Sequence, residues 1–391
     1  MMRYNFDQPF NRLETESIKW RKFEPDVLPL WVADMDFQSP QPVIEALQKR
    51  VEHGIFGYPM ELPGLREAFI DWVWQRYQWR VLPEAVIFMS GVARGFNQAC
   101  HMFSNDEDGA NPASVLVQPP LYPPMLKAPG NAGLKLREAP LRLSSEGHYG
   151  IEWDGFREAI DESTRLFLLC NPHNPLGRVF RKDELAHMAQ ICLRAGVLIC
   201  SDEIHCDLTY EGHAHLPIAA LDPEIAQKTI TLMAPSKTFN LAGLQFSAAI
   251  IPDPELRQNF INARQGLGSS WQNLFGMTAA LAAYRYGQEW LDQMLLYLEA
   301  NRDFACEYID SELPGISAVK PEGTYLLWLD CRQTKIPGDP CEFFIEKGRV
   351  ALNDGATFGT EGQGFVRLNF GCPRATLEEA LARMKSALSS L

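Results

Sequence analysis

The chain has 391 residues, 46% of them hydrophobic, with 36 basic against 49 acidic side chains and a formal charge of −13. That length buries a large core, expected in two domains, and the acidic balance speaks against nucleic acid or an anionic membrane as the main partner. No apolar leader follows a basic start and no apolar run is long enough to span a bilayer, so a cytoplasmic protein is expected. Nine cysteines show no CxxC pair and read as reduced core residues. His213 and His215, which flank one alanine, have no cysteine partners nearby, and no metal site is expected.

In chain order, Ser39-Pro40 opens a helix that closes near Gly54, with Ser39 as N-cap and Pro40 in the first turn. Short apolar runs then predict strands near 85–90, 114–118, 134–139, 166–170, 197–201, 229–233 and 246–251. Runs such as Leu166-Phe167-Leu168-Leu169-Cys170 are continuously apolar, which suits strands covered by helices on both faces. Arg181–Ala195 has helical periodicity and meets Gly196 as a stop. This alternation predicts an α/β fold with a mostly parallel, doubly wound, seven-stranded sheet. The flanks differ. A long amphipathic helix over 288–313 ends at Pro314-Gly315, followed by strands at Tyr325–Leu329 and Phe365–Phe370 and a helix from Thr376. The pattern predicts a large domain over 48–287 and a smaller α+β domain from 1–47 and 288–391.

The candidate groups sit just after predicted strands, where open α/β sheets bind ligands. Lys237, in Ala234-Pro235-Ser236-Lys237-Thr238-Phe239-Asn240, follows the apolar run Thr229–Met233. Burial there depresses its basicity and makes a nucleophilic amine, which a carbonyl cofactor such as pyridoxal 5′-phosphate needs. Asp202, in Ser201-Asp202-Glu203-Ile204-His205, would keep the cofactor's ring nitrogen protonated. Its structural alternative is an aspartate capping the next helix. Glu203 is the competing acid, and it points to the opposite side of an extended chain. Asn174, in Asn171-Pro172-His173-Asn174-Pro175-Leu176-Gly177, could donate to the phenolic oxygen, as could His205. Backbone N–H groups of Gly91, Val92 and Ala93 at a helix start suit the phosphate, and Ser236 adds a hydroxyl. Tyr122, in a proline-rich loop, could stack on the ring. Arg367, in Val366-Arg367-Leu368-Asn369-Phe370, needs an anion, either a substrate carboxylate or an internal salt bridge. Arg374 is the weaker candidate beside it.

These residues resemble the fold-type I pyridoxal-phosphate enzymes of the aspartate aminotransferase superfamily, along nearly the whole chain. Several strings are similar to the MalY/PatB-type cystathionine β-lyases: Ser17-Ile18-Lys19-Trp20, Leu28-Pro29-Leu30-Trp31-Val32-Ala33-Asp34-Met35-Asp36-Phe37, Gly57-Tyr58-Pro59, the Tyr122 loop, and the Asp202 and Lys237 strings. The resemblance implies the aspartate aminotransferase-like fold, with Lys237 bonded to the cofactor aldehyde, Asp202 on the pyridine nitrogen and Asn174 near its phenolic oxygen. It further implies Tyr122 as the stacking ring and Arg367 as the carboxylate anchor. Tyr58 matches a tyrosine that reaches the neighbouring subunit's phosphate, which implies a homodimer with shared sites, and it is a candidate proton donor to the leaving thiolate. Ala33 and Asp34 would line the substrate entrance.

Two positions depart from the aminotransferase pattern. His205 stands where aminotransferases carry tyrosine, and Gln245, eight residues after the lysine, where many hold phosphate with arginine. The function implied is β-elimination from L-cystathionine or a related S-substituted cysteine, giving thiol, pyruvate and ammonia. The alternative is an aminotransferase using the same residues. A cofactor-binding regulator without catalysis is disfavoured by the intact Lys237, Asp202, Asn174 and Arg367.

Overall fold

The seven apolar runs form a single sheet in the computed structural model, which describes residues 4–104, 112–144, 147–263 and 272–391. Its strands are β1 (Val86–Met89), β2 (Ser114–Val117), β3 (Lys135–Glu138), β4 (Thr164–Cys170), β5 (Leu198–Asp202), β6 (Thr229–Met233) and β7 (Ser247–Ile250). Their spatial order is β1-β7-β6-β5-β4-β2-β3. Strands β3, β2, β4, β5 and β6 run parallel, and β7 is antiparallel to both β6 and β1. The all-buried β2, β6 and β7 explain why these segments lack the alternation of a one-sided sheet. Because β2, β4, β5 and β6 are neighbours, the loops leaving their carboxyl ends meet over one stretch of the sheet. Strand β1 points the same way, since two antiparallel pairings restore its direction.

Helix α1 (Gln41–Glu52) starts one residue later than the expected cap allows. Ser39 does not cap it: Pro40 holds the N-cap position, and the Ser39 hydroxyl donates instead to the Asn240 carbonyl (3.2 Å). The expected division at residue 48 falls inside this helix. Helix α2 (Val92–His101) leaves β1, and α3 (Lys182–Arg194) joins β4 to β5, ending ahead of Gly196 at φ +69°. Helix α4 (Gln288–Glu312) is the long amphipathic one. Helix α5 (Arg374–Leu388) begins two residues before the expected Thr376, because Pro373, at φ −52°, already sets the N-cap.

The C-terminal part holds a four-stranded antiparallel sheet in the order Ser317–Ala318, Leu326–Asp330, Phe365–Asn369, Asn353–Asp354. The N-terminal segment joins it, with Leu28–Pro29 pairing in parallel with Val350–Ala351. From there the chain crosses residues 31–37 toward the large sheet, passing between Lys237 and Arg367.

Candidate active site

The turn carrying Lys237 is pinned from behind. Phe239 packs against Trp72 and Trp290 (centroids 5.5 and 6.2 Å). The Thr238 hydroxyl donates to Asp207 Oδ2 (2.8 Å), and the same carboxylate accepts from Tyr77 Oη (2.5 Å) and Trp72 Nε1 (3.2 Å). Lys237 itself lines a cavity of about 350 Å³ at the ends of the parallel strands. There its amine donates to the Ala33 carbonyl.

Asp202, Asn174, His205, Tyr122, Ser236, Arg367 and Ala33 all line this cavity with Lys237, as do Gly91, Val92 and Ala93 at the start of α2. Burial pulls the Lys237 amine down to about 8, with Asp34 pulling it back up and Arg367 pushing it further down. Burial also pushes the Asp202 carboxyl up to about 7, against a hydrogen bond from the Ile204 N–H (3.0 Å). His205 is held well below the ordinary histidine value by burial, then by the charges of Lys237 and Arg367. The cavity therefore makes the amine easier to deprotonate than an ordinary lysine and keeps the imidazole neutral.

Arg367 is 3% exposed, and its partners are uncharged oxygens. Nη1 donates to Asn174 Oδ1 (2.9 Å) and Nη2 to the Trp31 carbonyl (2.8 Å), while the guanidinium lies 5.0 Å over the Phe358 ring. Its Nε and His205 Nδ1 are buried with no hydrogen-bond partner among the described residues. The internal salt bridge considered from sequence is not what holds this arginine, and a guanidinium so placed awaits an anion.

Other sequence candidates lie elsewhere. Tyr58 does not line the cavity; it sits in a stretch outside helix and strand and is 86% exposed. Asp34 is not among the residues lining the cavity; its side chain pairs with Arg12 Nη2 (2.9 Å) and Lys19 Nζ (3.7 Å), and its charge acts on Lys237. Gly91 lines the cavity, but its N–H donates to Ser247 Oγ (2.9 Å), so anion binding at α2 falls to the amides beyond it. Arg374 opens α5 and donates through Nε to Asn301 Oδ1 (2.9 Å). Glu203 faces away from Asp202 and accepts from His215 Nε2 (2.8 Å) and Ser201 Oγ (2.8 Å). Gln245 lines the cavity at the position where an arginine was missed. Trp31, Phe246 and Asn353 line it too, and no sequence spacing singled them out. Tyr325 reaches the same carbonyl as Lys237, donating to Ala33 O (3.1 Å).

The donor set fits pyridoxal 5′-phosphate. A buried amine suits the aldehyde, a buried carboxyl with no salt bridge among the described residues suits the ring nitrogen, and helix-start amides suit the phosphate. The unpartnered Arg367 Nε and His205 Nδ1 mark where further polar atoms of a bound molecule belong.

Residues 25–384 match the family described as aminotransferase class I and II. Cystathionine beta-lyase PatB of Bacillus subtilis is 41% identical over 392 residues, covering 98% of this chain and 100% of that protein. Cystalysin from Treponema denticola, solved with pyridoxal 5′-phosphate, superposes with a TM-score of 0.94 at 32% identity, covering 100% of both chains. The C-S lyase from Staphylococcus hominis, solved with the same cofactor bound, gives a TM-score of 0.91 at 31% identity over 99% of this chain and 98% of its own.

Proposed function

This chain belongs to the class I and II aminotransferase family, and we propose that it is a pyridoxal 5′-phosphate-dependent carbon–sulfur β-lyase. Its substrate would be L-cystathionine or a related S-substituted cysteine. The observation that carries the reading is the cavity itself, where a lysine amine held down to about 8 faces a buried arginine that has no carboxylate partner among the described residues. Full-length identity to a cystathionine β-lyase favours elimination over transamination, and His205 and Gln245 in place of the aminotransferase tyrosine and arginine point the same way.

Lys237, Asp202, Asn174 and the amides of Val92 and Ala93 would hold the cofactor, with Tyr122 against its ring. When bound, the cofactor supplies an electron sink for the pair released at the substrate Cα. Arg367 binds the substrate carboxylate and, through Asn174, ties its position to the turn after β4. Lys237, in its neutral form, takes the Cα proton. As the Cα–H pair becomes the Cα–Cβ double bond, the Cβ–S bond breaks and sulfur leaves with its electrons. Lys237 or Tyr58 then returns a proton to that sulfur. One water hydrolyses the three-carbon remainder to pyruvate and ammonia.

A homodimer belongs to this proposal. Ile55, Phe56, Tyr58 and Met60 are 67, 55, 86 and 87% exposed in one stretch, an apolar surface that a second copy would cover. Tyr58 would reach the phosphate of the neighbouring site from there. A cytoplasmic location completes the reading; among the described residues no helix is long and apolar enough to cross a membrane.

The test is thiol release from L-cystathionine by the purified enzyme with no keto acid added. A lyase yields homocysteine, pyruvate and ammonia in equal amounts. Turnover that requires a keto acid and releases no thiol would replace this reading with an aminotransferase.

A further inference from the structure

Residues 31–37, the Trp-Val-Ala-Asp-Met-Asp-Phe string, form neither a helix nor a strand of the large sheet. Their carbonyls are nevertheless taken up almost one by one by side chains from distant segments. Trp31 O accepts from Arg367 Nη2 (2.8 Å) and Val32 O from Asn369 Nδ2 (2.7 Å). Ala33 O accepts from Lys237 Nζ and Tyr325 Oη. Asp34 O accepts from Asn369 Nδ2 (2.6 Å) and Lys19 Nζ (3.1 Å). The group that binds the carboxylate and the group that moves the proton are thus held two peptides apart on one short segment.

Asn240 sets the register of this segment against the Lys237 turn. It lies three residues after the lysine at φ +57°, a conformation asparagine tolerates better than most residues. Its side chain clasps the segment at three points. Oδ1 accepts from Met35 N (3.1 Å), and Nδ2 donates to Met35 O (2.9 Å) and Phe37 O (2.8 Å). Its backbone carbonyl takes the Ser39 hydroxyl that would otherwise cap α1. Among the described residues, no other side chain links the lysine's own turn to residues on the far side of Ala33 by so many bonds.

We propose that Asn240 is a positioning residue for the reaction: it fixes the Ala33 carbonyl opposite Lys237, so that the amine, once free of the cofactor, is held where it must take the Cα proton. The inference rests on Lys237 being the proton-transfer group. A carbonyl acceptor stabilises the charged ammonium and offsets part of the burial that depresses it. If the carbonyl drifts, the amine becomes still less basic.

Trace acetylation of the cofactor-free protein across about pH 6 to pH 10, with Lys237 read by peptide mass spectrometry, measures that basicity directly. Asn240→Gly keeps the backbone conformation available and removes the clasp. Its Lys237 midpoint is expected to fall by roughly half a unit or more below that of the parent. Asn240→Ser, too short to reach Met35 and Phe37 together, should move the midpoint the same way. A fall in melting temperature with the Asn240→Gly midpoint unmoved would make the clasp structural only and overturn the proposal. Should Asn240→Gly not fold, an unmoved midpoint in Asn240→Ser overturns it instead. Thiol release tests the lyase reading separately, so either can fail alone.

Discussion

Asp202 carries an unusual burden for a carboxylate. Burial raises it to about 7 from 3.8, so in cofactor-free protein between about pH 4 and pH 7 the folded state keeps a proton that the unfolded chain has lost. Stability from this group therefore falls as pH rises through that window and levels off above it, by at most about 1.4 kcal/mol per pH unit. Asp202→Asn should flatten that slope, measured as the difference between urea unfolding curves of the two proteins at several pH values; parallel slopes would show that Asp202 is not the titrating group. The same substitution should cripple turnover, because an amide cannot hold the ring nitrogen protonated. Asp202, Lys237 and Asn174 were legible in the sequence because each follows an unbroken apolar run. Asp207 and Asn240 were not. Each is an isolated polar residue whose partners lie far away in sequence, Trp72 and Tyr77 for the first and Met35 and Phe37 for the second. The ion pairs of Asp34 with Arg12 and Lys19 were not legible for a related reason, since both partners are remote from it in any periodic pattern.

At the scale of elements, the inner strands were readable because residues buried on both faces must be apolar throughout, and such runs stand out between helices; β3, Lys135-Leu136-Arg137-Glu138 and largely exposed at the sheet edge, lacks that signal. Helix starts were less readable. Ser39 has the right chemistry for a cap, but a tertiary partner, the Asn240 carbonyl, claims its hydroxyl. The turn after β4 shows how the two sheets are joined. Gly177 N donates to His173 O (2.7 Å), and Gly177 O accepts from the N–H groups of Glu322 (2.9 Å) and Gly323 (2.8 Å). Gly177 sits at φ +66°, and an added Cβ would come within 2.3 Å of Pro321 Cβ and 3.0 Å of Gly323 O. Gly177→Ala combines left-handed strain with overpacking and should cost about 2–4 kcal/mol. Asn174 lies in this turn and bonds Arg367, so the variant's KM should also rise. An unchanged melting temperature and KM would show that the junction yields freely.

For the whole molecule, Tyr58 is a candidate only through resemblance, and it is not among the residues lining its own subunit's cavity. If the sites are shared, Tyr58→Ala and Lys237→Ala damage different halves of one site. Mixed after unfolding and refolding together, the two inactive variants should regain about a quarter of wild-type activity, since half the dimers then carry one intact site. No recovery would mean that Tyr58 serves its own subunit or none. The claim on which all of this depends is that Lys237 carries the cofactor. Reduction of the holoenzyme with borohydride makes that linkage permanent, and peptide mapping then locates the pyridoxyl mass. The account predicts it on Lys237 alone; the mass on another lysine, or on none, would contradict it.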